Sequence, residues 1–196
     1  MAICYAPAAM NPHWVRISKF LSLVLRHQPE KIGLVLDAEG WADIDELILK
    51  AQQSGVPVTR EILDAVVENN DKQRFAISED GRRIRAQQGH SIEVELGLDP
   101  VPPPDVLFHG TAENSVESIR IQGLIAGKRQ HVHLSPDEET AVRVGTRHGR
   151  PVVLRVHTGR MHRDGFAFYL SGNGVWLTEV VPAQYLEIPL EIPAAG

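Results

Sequence analysis

The sequence has 196 residues, enough for one large domain or two small ones. Hydrophobic residues make up 43% and charged residues 23%, and no apolar run approaches the roughly 20 residues of a membrane helix, so the composition is that of a globular protein rather than a membrane-spanning one. The net charge of −5 argues against nucleic-acid binding by the whole surface, so such a partner would need a local basic patch.

The N-terminus lacks the basic leader and apolar core of a signal peptide, and we expect residues 1–13 to be a disordered lead-in. The single cysteine, Cys4, excludes an intramolecular disulfide, which fits a reducing compartment. We therefore expect a cytoplasmic protein with no membrane partner. The run GLDPVPPPD at 97–105 interrupts any helix or central strand, and it predicts lobes at 14–98 and 106–196 joined by a proline-rich linker at 99–105.

The first lobe has the pattern of three helices and a hairpin. Helical spacing of apolar residues predicts a first helix, which Pro29 ends near residues 26–28. Its apolar stripe is Ile17, Phe20, Leu21, Val24 and Leu25. Capping residues predict further helices starting at Asp43, with Glu46 three residues on, and at Thr59. The hairpin RFAIS and RRIRA, around a turn at 79–81, completes a predicted winged-helix module.

The second lobe reads as short strands with two helices. One helix includes Val116 and ends at Gly123, and another starts at Ser135, which we expect to be its N-cap. The regular βαβ alternation of a doubly wound sheet is missing, so the fold class is predicted as α+β. The predicted strands are 106–109, 131–134, 152–157, 166–170, 175–177 and 185–188.

Two basic features could bind phosphate. Arg26, followed by His27, lies opposite the apolar stripe of its helix and near Lys19, although a basic helix end also complements the helix dipole. The predicted hairpin carries the second feature, because phosphate backbones bind such basic stripes, although the same charges can protect an edge strand. Its basic residues are Lys72, Arg74, Arg82, Arg83 and Arg85. Both interpretations remain open for each feature.

The second lobe carries histidines at two strand ends. Gly110, after His109, would let backbone approach a ligand closely. His131 and His133 alternate along a strand, but no cysteine or acidic cluster completes a tetrahedral set, and we expect no metal. The segment GLIAGKR at 123–129 is one residue short of a P-loop and lacks its Ser/Thr. The Gly-Asn-Gly at 172–174 lacks the third glycine of a dinucleotide fingerprint, so these rules give no evidence for a nucleotide site.

Two further functions compete at this point. The motifs His109-Gly110-Thr111 and His133-Leu134-Ser135 are both H-x-[ST] and resemble two-histidine RNA phosphoesterases, in which one histidine is the base and the other the acid. They are only 24 residues apart, from 109 to 133, and this alternative gives the basic residues of the first lobe no role. A winged-helix nucleic-acid-binding regulator without catalysis is the other alternative.

Six motifs taken together resemble the tRNA 2′-phosphotransferase family. They occur in the family's order from about residue 17 to residue 188. The motifs are FLSLVLRHQPEKIGLVLDAEGW, KQRF at 72–75, LFHGT, IRIQGL at 119–124, KRQHVHLS and SGNGVWLTEVVPAQYL. The resemblance implies an N-terminal RNA lobe of winged-helix type and a C-terminal ADP-ribosyltransferase-like lobe with a split β-sheet, which binds NAD without a G-x-G-x-x-G motif.

The resemblance also implies roles for individual residues. The set that surrounds the RNA phosphate, and is expected to be catalytic, is Arg26, His27, Arg74 and Arg129. The expected NAD-binding residues are His109, Gly110, Thr111, His133, Ser135, Asn173 and Gly174. The basic residues left for the rest of the RNA are Lys72, Arg82, Arg83 and Arg85.

The implied reaction has two steps. An internal RNA 2′-phosphate, of the kind found at tRNA splice junctions, attacks the anomeric carbon of the nicotinamide ribose, and nicotinamide leaves. The neighbouring ribose 2″-hydroxyl then attacks phosphorus, which releases RNA with a 2′-hydroxyl and ADP-ribose 1″,2″-cyclic phosphate. NAD is thus a consumed co-substrate. Arginines supply the charge stabilisation that magnesium supplies elsewhere, so no metal is expected.

Overall fold

A computed structural model describes residues 12–70 and 72–189. Of the lead-in expected at 1–13, residues 1–11 lie outside the described residues. Pro12 and His13 belong to the first helix. The chain divides into two compact units between Leu96 and Gly97. No helix of the described ranges is long and apolar enough to cross a membrane.

Within residues 12–70 and 72–96, the first unit has three α-helices and a three-stranded antiparallel sheet. Its elements are α1 (Pro12–Arg26), β1 (Ala42–Asp43), α2 (Ile44–Gln53), α3 (Arg60–Glu68), β2 (Phe75–Ile77) and β3 (Arg83–Ala86), with a 3-10 helix at Pro29–Ile32. The predicted hairpin is confirmed as β2 and β3. Ala42 pairs with Ile84, so β1 adds a third strand, in the order β1-β3-β2, that the sequence pattern did not predict.

Local chemistry explains why the helices begin where they do. The Glu46 backbone N–H donates to the Asp43 carboxylate at 2.9 Å, which caps α2, and the Ile62 N–H donates to the Thr59 hydroxyl at 3.3 Å, which caps α3. Both predicted caps are confirmed. The apolar stripe of α1 is also confirmed, because its central members are fully buried in the core of this unit, which leaves the opposite face of α1 for a site.

Among residues 97–189, the second unit combines three α-helices with short antiparallel strands, and the predicted α+β class is confirmed. The elements are β4 (Leu107–Ala112), α4 (Val116–Gln122), β5 (Leu124–Ile125), β6 (Val132–Leu134), α5 (Glu138–Gly145), β7 (Pro151–Val156), α6 (Thr158–Arg163), β8 (Tyr169–Leu170), β9 (Trp176–Thr178), β10 (Val180–Val181) and β11 (Leu186–Glu187). Two three-stranded sheets have the orders β11-β7-β4 and β6-β9-β8, and β10 pairs with β5.

One backbone bridge joins the two larger sheets and corrects a prediction. Phe108 and Ser135 exchange backbone hydrogen bonds of 2.9 and 2.7 Å, so Ser135 is held in extended backbone. It therefore does not cap α5 as predicted. Asp137 is the N-cap instead, and its carboxylate accepts from the Thr140 N–H at 2.7 Å.

The segment 99–105, predicted as a linker, is hydrogen-bonded along the second unit. The Val101 N–H donates to the Phe168 carbonyl at 2.8 Å, and the Thr158 hydroxyl donates to the Pro104 carbonyl at 2.6 Å. Prolines cannot donate to a sheet ladder, but their carbonyls still accept, which is how this segment is anchored.

Candidate active site

The end of α1 brings two predicted site residues together. Arg26 is the last residue of α1 and is half-buried, and its Nη2 donates to the carbonyl of Arg74 at 3.3 Å. Arg74 precedes β2, and its Nη1 donates to Oδ1 of Asn70 at 2.9 Å. Asn70 is buried, at 3% exposure, so its amide is a fixed acceptor for the guanidinium. The two arginines, 48 positions apart, therefore occupy one cluster.

His27 is held at the same end of α1 by the segment that follows the hairpin. Its Nδ1 lies 2.9 Å from the hydroxyl oxygen of Ser91. The Ser91 backbone N–H donates to the carbonyl of Arg26, also at 2.9 Å. This double attachment fixes the imidazole relative to the helix end. His27 and Arg74 both line a groove of about 320 Å³ along α1.

A buried histidine lies behind this cluster. His90 is 1% exposed, and neither of its ring nitrogens has a hydrogen-bond partner among the described residues. Burial, followed by the positive charges of Arg26, His27 and Arg85, lowers the pKa of His90 to about 4. His90 is therefore neutral near pH 7 and adds no positive charge to the cluster.

Two of the basic residues expected to bind RNA, Arg83 and Arg85, stack on an aromatic ring of their own unit. The guanidinium carbons of Arg83 and Arg85 lie 5.4 and 4.5 Å from the ring centre of Trp41. Arg83 also pairs with Asp37 at 3.2 Å. The basic stripe is thus partly neutralised and stacked, which gives these two arginines a structural role. RNA binding by Lys72, Arg82, Arg83 and Arg85 stays a prediction.

In the second unit, the two H-x-[ST] histidines and Arg129 form a chain of contacts. His109 Nδ1 donates to the carbonyl of His133 at 3.0 Å, and Arg129 Nη1 lies 3.4 Å from His133 Nδ1. Burial lowers the pKa of His109, the hydrogen bond to His133 opposes this, and the charge of Arg129 lowers it further. The lowered pKa favours the neutral imidazole near pH 7, and because Nδ1 donates to a carbonyl, Nε2 is then the acceptor.

Gly110 has a packing role that its motif did not indicate, and its predicted part in NAD binding stays a prediction. A Cβ at Gly110 would lie 1.7 Å from the carbonyl oxygen of Ala141 and 3.0 Å from the backbone nitrogen of Gly145. The glycine therefore lets α5 lie directly against β4. Neighbours in a strand point to opposite faces, so His109 and Thr111 face away from α5. Thr111 is 8% exposed.

Asn173 and Gly174 lie in the turn between β8 and β9. The Ser171 hydroxyl is 2.8 Å from Asn173 Oδ1, and the Gly174 N–H donates to the Ser171 carbonyl at 2.9 Å, with Gly174 at φ 77°. Leu134 pairs with Trp176 in the β6–β9 ladder, so the next residue of that strand, Ser135, comes at the edge where this turn lies. These predicted residues therefore share one end of a sheet with Ser135.

Within the described ranges, no group of three or more His, Cys, Asp or Glu side chains could hold a metal ion. The candidate chemistry of both units is instead cationic and imidazole-based: an arginine pair with a tethered histidine in the first unit, and an arginine with two linked histidines in the second. Such groups suit phosphate and sugar ligands.

Comparison with known proteins decides between the functions that the sequence left open. The model of the family described as RNA 2′-phosphotransferase, Tpt1 / KptA family, matches residues 12–180. The chain belongs to the RNA 2′-phosphotransferase family. It is 58% identical over 177 residues to a probable RNA 2′-phosphotransferase of Agrobacterium fabrum, covering 90% of this chain and 95% of the relative. It is 60% identical over 171 residues to one of Flavobacterium johnsoniae, covering 87% and 94%.

Membership of the RNA 2′-phosphotransferase family confirms the resemblance and favours a transferase over the phosphoesterase and the regulator. Asn70 and Ser91 were not predicted as site residues. Asn70 follows α3 and resembles an ordinary helix end, and Ser91 lies in a loop, so no local pattern marks either one. Only their contacts with Arg74 and His27 reveal them.

Proposed function

We propose that this RNA 2′-phosphotransferase moves an internal RNA 2′-phosphate to NAD and produces 2′-hydroxyl RNA, nicotinamide and ADP-ribose 1″,2″-cyclic phosphate. The observation that carries the proposal is the cluster at the end of α1. The Asn70 amide oxygen accepts from the Arg74 guanidinium, the Arg74 carbonyl accepts from the Arg26 guanidinium, and the Ser91 hydroxyl contacts the His27 ring. Guanidinium groups fixed in this way suit a phosphate dianion, because they offer paired N–H donors in a planar fork.

We also propose the finer fold assignments. Three helices followed by the β1-β3-β2 sheet support a winged-helix-like RNA lobe. Two separate three-stranded antiparallel sheets joined through Phe108 and Ser135 support an ADP-ribosyltransferase-like lobe with a split sheet.

The first unit would bind and orient the phosphate. A phosphate monoester carries nearly two negative charges and is already a nucleophile, so the first bond formation needs no general base. Arg26 and Arg74 would hold its oxygens, and His27 would donate a proton to the RNA 2′-oxygen as it leaves phosphorus. Arg129 would stabilise the charge that builds on the phosphoryl oxygens in that second step.

The second unit has a donor set that fits a dinucleotide. The neutral His109 offers an acceptor at Nε2, Thr111 and Ser135 offer hydroxyls, and Arg129 offers a cation. Sugar hydroxyls can donate to such an acceptor, and a pyrophosphate can accept from such hydroxyls and pair with such a cation. NAD would supply the ribose carbon that accepts the phosphate. Asn173 and Gly174 belong to the proposed NAD-binding set because they lie at the same sheet edge as Ser135.

The deciding experiment uses a short RNA with a single internal 2′-phosphate. We expect stoichiometric release of nicotinamide and loss of the 2′-phosphate, both dependent on NAD and both insensitive to EDTA. The same RNA without the 2′-phosphate should release no nicotinamide. Arg74→Ala should abolish turnover, whereas Arg60→Ala, which removes an exposed arginine paired with Asp64 on α3, should not.

Other outcomes would contradict the proposal. Cleavage of the RNA chain without NAD would support the two-histidine phosphoesterase. Loss of activity on chelation, restored by a divalent ion, would assign the charge stabilisation to a metal rather than to the arginines. Binding of RNA with no turnover of either substrate would support the regulator.

A further inference from the structure

The turn before β2 contains an uncommon backbone conformation. Among residues 12–70 and 72–189, Gln73 is the one residue other than glycine with a positive φ, at 40°. This left-handed conformation costs free energy for a residue with a Cβ, and it persists only where the surrounding contacts enforce it. Such residues concentrate at functional sites, and Gln73 directly precedes Arg74 of the cluster at the end of α1.

The bend at Gln73 lets Arg74 reach back to Asn70. The Gln73 N–H donates to the Asn70 carbonyl at 2.8 Å, and Arg74 Nη1 donates to Asn70 Oδ1 at 2.9 Å. The Lys72 N–H also donates to this Oδ1, at 3.2 Å. In extended backbone, four residues would span about 13 Å, so the hydrogen bond from Arg74 to Asn70 depends on the bend.

Gln87 stabilises the bend from the neighbouring strand. It follows Ala86, the last residue of β3, and its backbone N–H donates to the Arg74 carbonyl at 2.9 Å. Its side-chain Nε2 donates to the Gln73 carbonyl, also at 2.9 Å. Because these two carbonyls belong to the peptide groups on either side of the Arg74 Cα, the two bonds fix the direction in which the Arg74 side chain leaves the backbone.

We propose that Gln87 is a positioning residue that orients Arg74 toward the RNA 2′-phosphate, and that its side-chain amide maintains the left-handed backbone at Gln73. The inference rests on the proposed function, in which Arg74 holds the phosphate oxygens and Gln87 touches no reacting atom. Without the side-chain hydrogen bond, residue 73 relaxes toward a negative φ. The Arg74 guanidinium then has many orientations, of which few present its planar fork to a phosphate.

The test measures the preference for the 2′-phosphate. This is the ratio of the Kd for an oligoribonucleotide with 2′-hydroxyls only to the Kd for the same RNA with one internal 2′-phosphate, without NAD. Gln87→Met keeps the chain length but removes the amide donor, and it should lower this ratio about 5-fold, the value of one net hydrogen bond. In an Arg74→Ala background it should have no further effect. Gln53→Ala, at an exposed glutamine that ends α2, is the control and should leave the ratio unchanged.

Glycine at position 73 provides a rescue that a purely structural role of Gln87 would not give. Glycine adopts a positive φ without strain, so Gln73→Gly alone should keep the wild-type preference. Combined with Gln87→Met, it should recover most of the preference that Gln87→Met loses. Gln73→Val should lose the preference, because a branched side chain resists a positive φ. An unchanged ratio in Gln87→Met, an equal loss in the Arg74→Ala background, or no recovery with glycine would overturn the inference.

A spectroscopic measurement separates this inference from the proposed function. In NMR spectra of the full chain, the arginine Nε–Hε signal that is missing from Arg74→Ala belongs to Arg74. Gln87→Met should shift this signal and speed its exchange with water, whereas Gln53→Ala should not. A wild type that gives this response but has no preference for the 2′-phosphate would contradict the proposed function alone. An Arg74 signal that is identical in wild type and Gln87→Met would overturn the inference, whether or not the protein consumes NAD.

Discussion

The hydroxyl of Ser91 lies 2.9 Å from Nδ1 of His27, and the backbone N–H of the same serine donates to Arg26. Two members of the proposed phosphate site are thus held by one residue that touches no reacting atom in the proposed mechanism. The hydroxyl can donate to a neutral imidazole and accept from a protonated one, so it keeps the ring oriented through a proton transfer. Ser91 is in this sense a positioning residue.

Ser91→Ala removes the side-chain contact and keeps the backbone one. We expect kcat to fall about 3- to 10-fold, as for one net hydrogen bond, with little change in KM for RNA. Ser91 is exposed, so the melting temperature should not change. Steady-state kinetics and thermal unfolding check this. Ser91→Thr, which keeps the hydroxyl, should recover kcat, and a variant that changes KM alone would count against a positioning role.

His90 should make the stability of the protein depend on pH. Because burial lowers its folded pKa to about 4, the unfolded chain, with a pKa near 6.5, binds more protons between these values. The free energy of unfolding therefore falls as the pH drops through this window, by about 2 kcal/mol between pH 7.5 and 5 from this group. His90→Leu should remove that part of the loss.

Urea unfolding of wild type and His90→Leu at both pH values measures the effect. At pH 7.5 the variant should be at least as stable, because neither ring nitrogen has a hydrogen-bond partner among the described residues that leucine would lose. His148→Leu, at an exposed position, is the control. Equal losses of stability in wild type and His90→Leu would contradict the prediction.

Gly110→Ala should destabilise the second unit severely. The new methyl carbon would lie 1.7 Å from a backbone oxygen of α5, which cannot move as a side chain can, so we expect a loss of about 3 kcal/mol or more. In Gly127→Ala the new methyl group meets no atom within 4 Å, and the backbone φ of 63° is the only source of strain, so the loss of stability should be about 1 kcal/mol. Denaturant unfolding compares them. A stable Gly110→Ala protein with weaker NAD binding would instead favour the ligand role suggested by the motif.

Arg129→Ala should slow the second chemical step more than the first. The second step breaks a phosphorus–oxygen bond and places more charge on the phosphoryl oxygens, and removing one donor to such charge typically costs about 100- to 1000-fold. The joined species, RNA 2′-phospho-ADP-ribose, should then accumulate and migrate more slowly on a denaturing gel. Arg129→Lys should rescue only partly, because an ammonium lacks the planar fork.

Lys128→Ala is the matched control for Arg129→Ala, since it removes the neighbouring exposed charge. It should not accumulate the joined species. An Arg129→Ala protein that is slow throughout and never builds up this species would place the role of Arg129 in NAD binding or in the first step.

The sequence alone determined the helices of the first unit, their caps at Asp43 and Thr59, the hairpin, the α+β class and the family. These features depend on residues close together in the chain, or on motifs whose order is visible without a fold. The helical wheel also placed Arg26 opposite the apolar stripe, which its contact with Arg74 supports.

Only the tertiary structure decided which groups hold the candidate site. The hydrogen bonds from Arg74 to Asn70 and between His27 and Ser91 each involve a single polar atom of the partner, and Ser91 is 64 positions from His27. Stacking of two hairpin arginines on Trp41 and packing of α5 against Gly110 of β4 are likewise visible only in the fold. Ser135 had every local feature of an N-cap, yet its backbone pairs with Phe108. A strand bridge between distant segments satisfies the same N–H and carbonyl groups that local capping rules assign to a helix start.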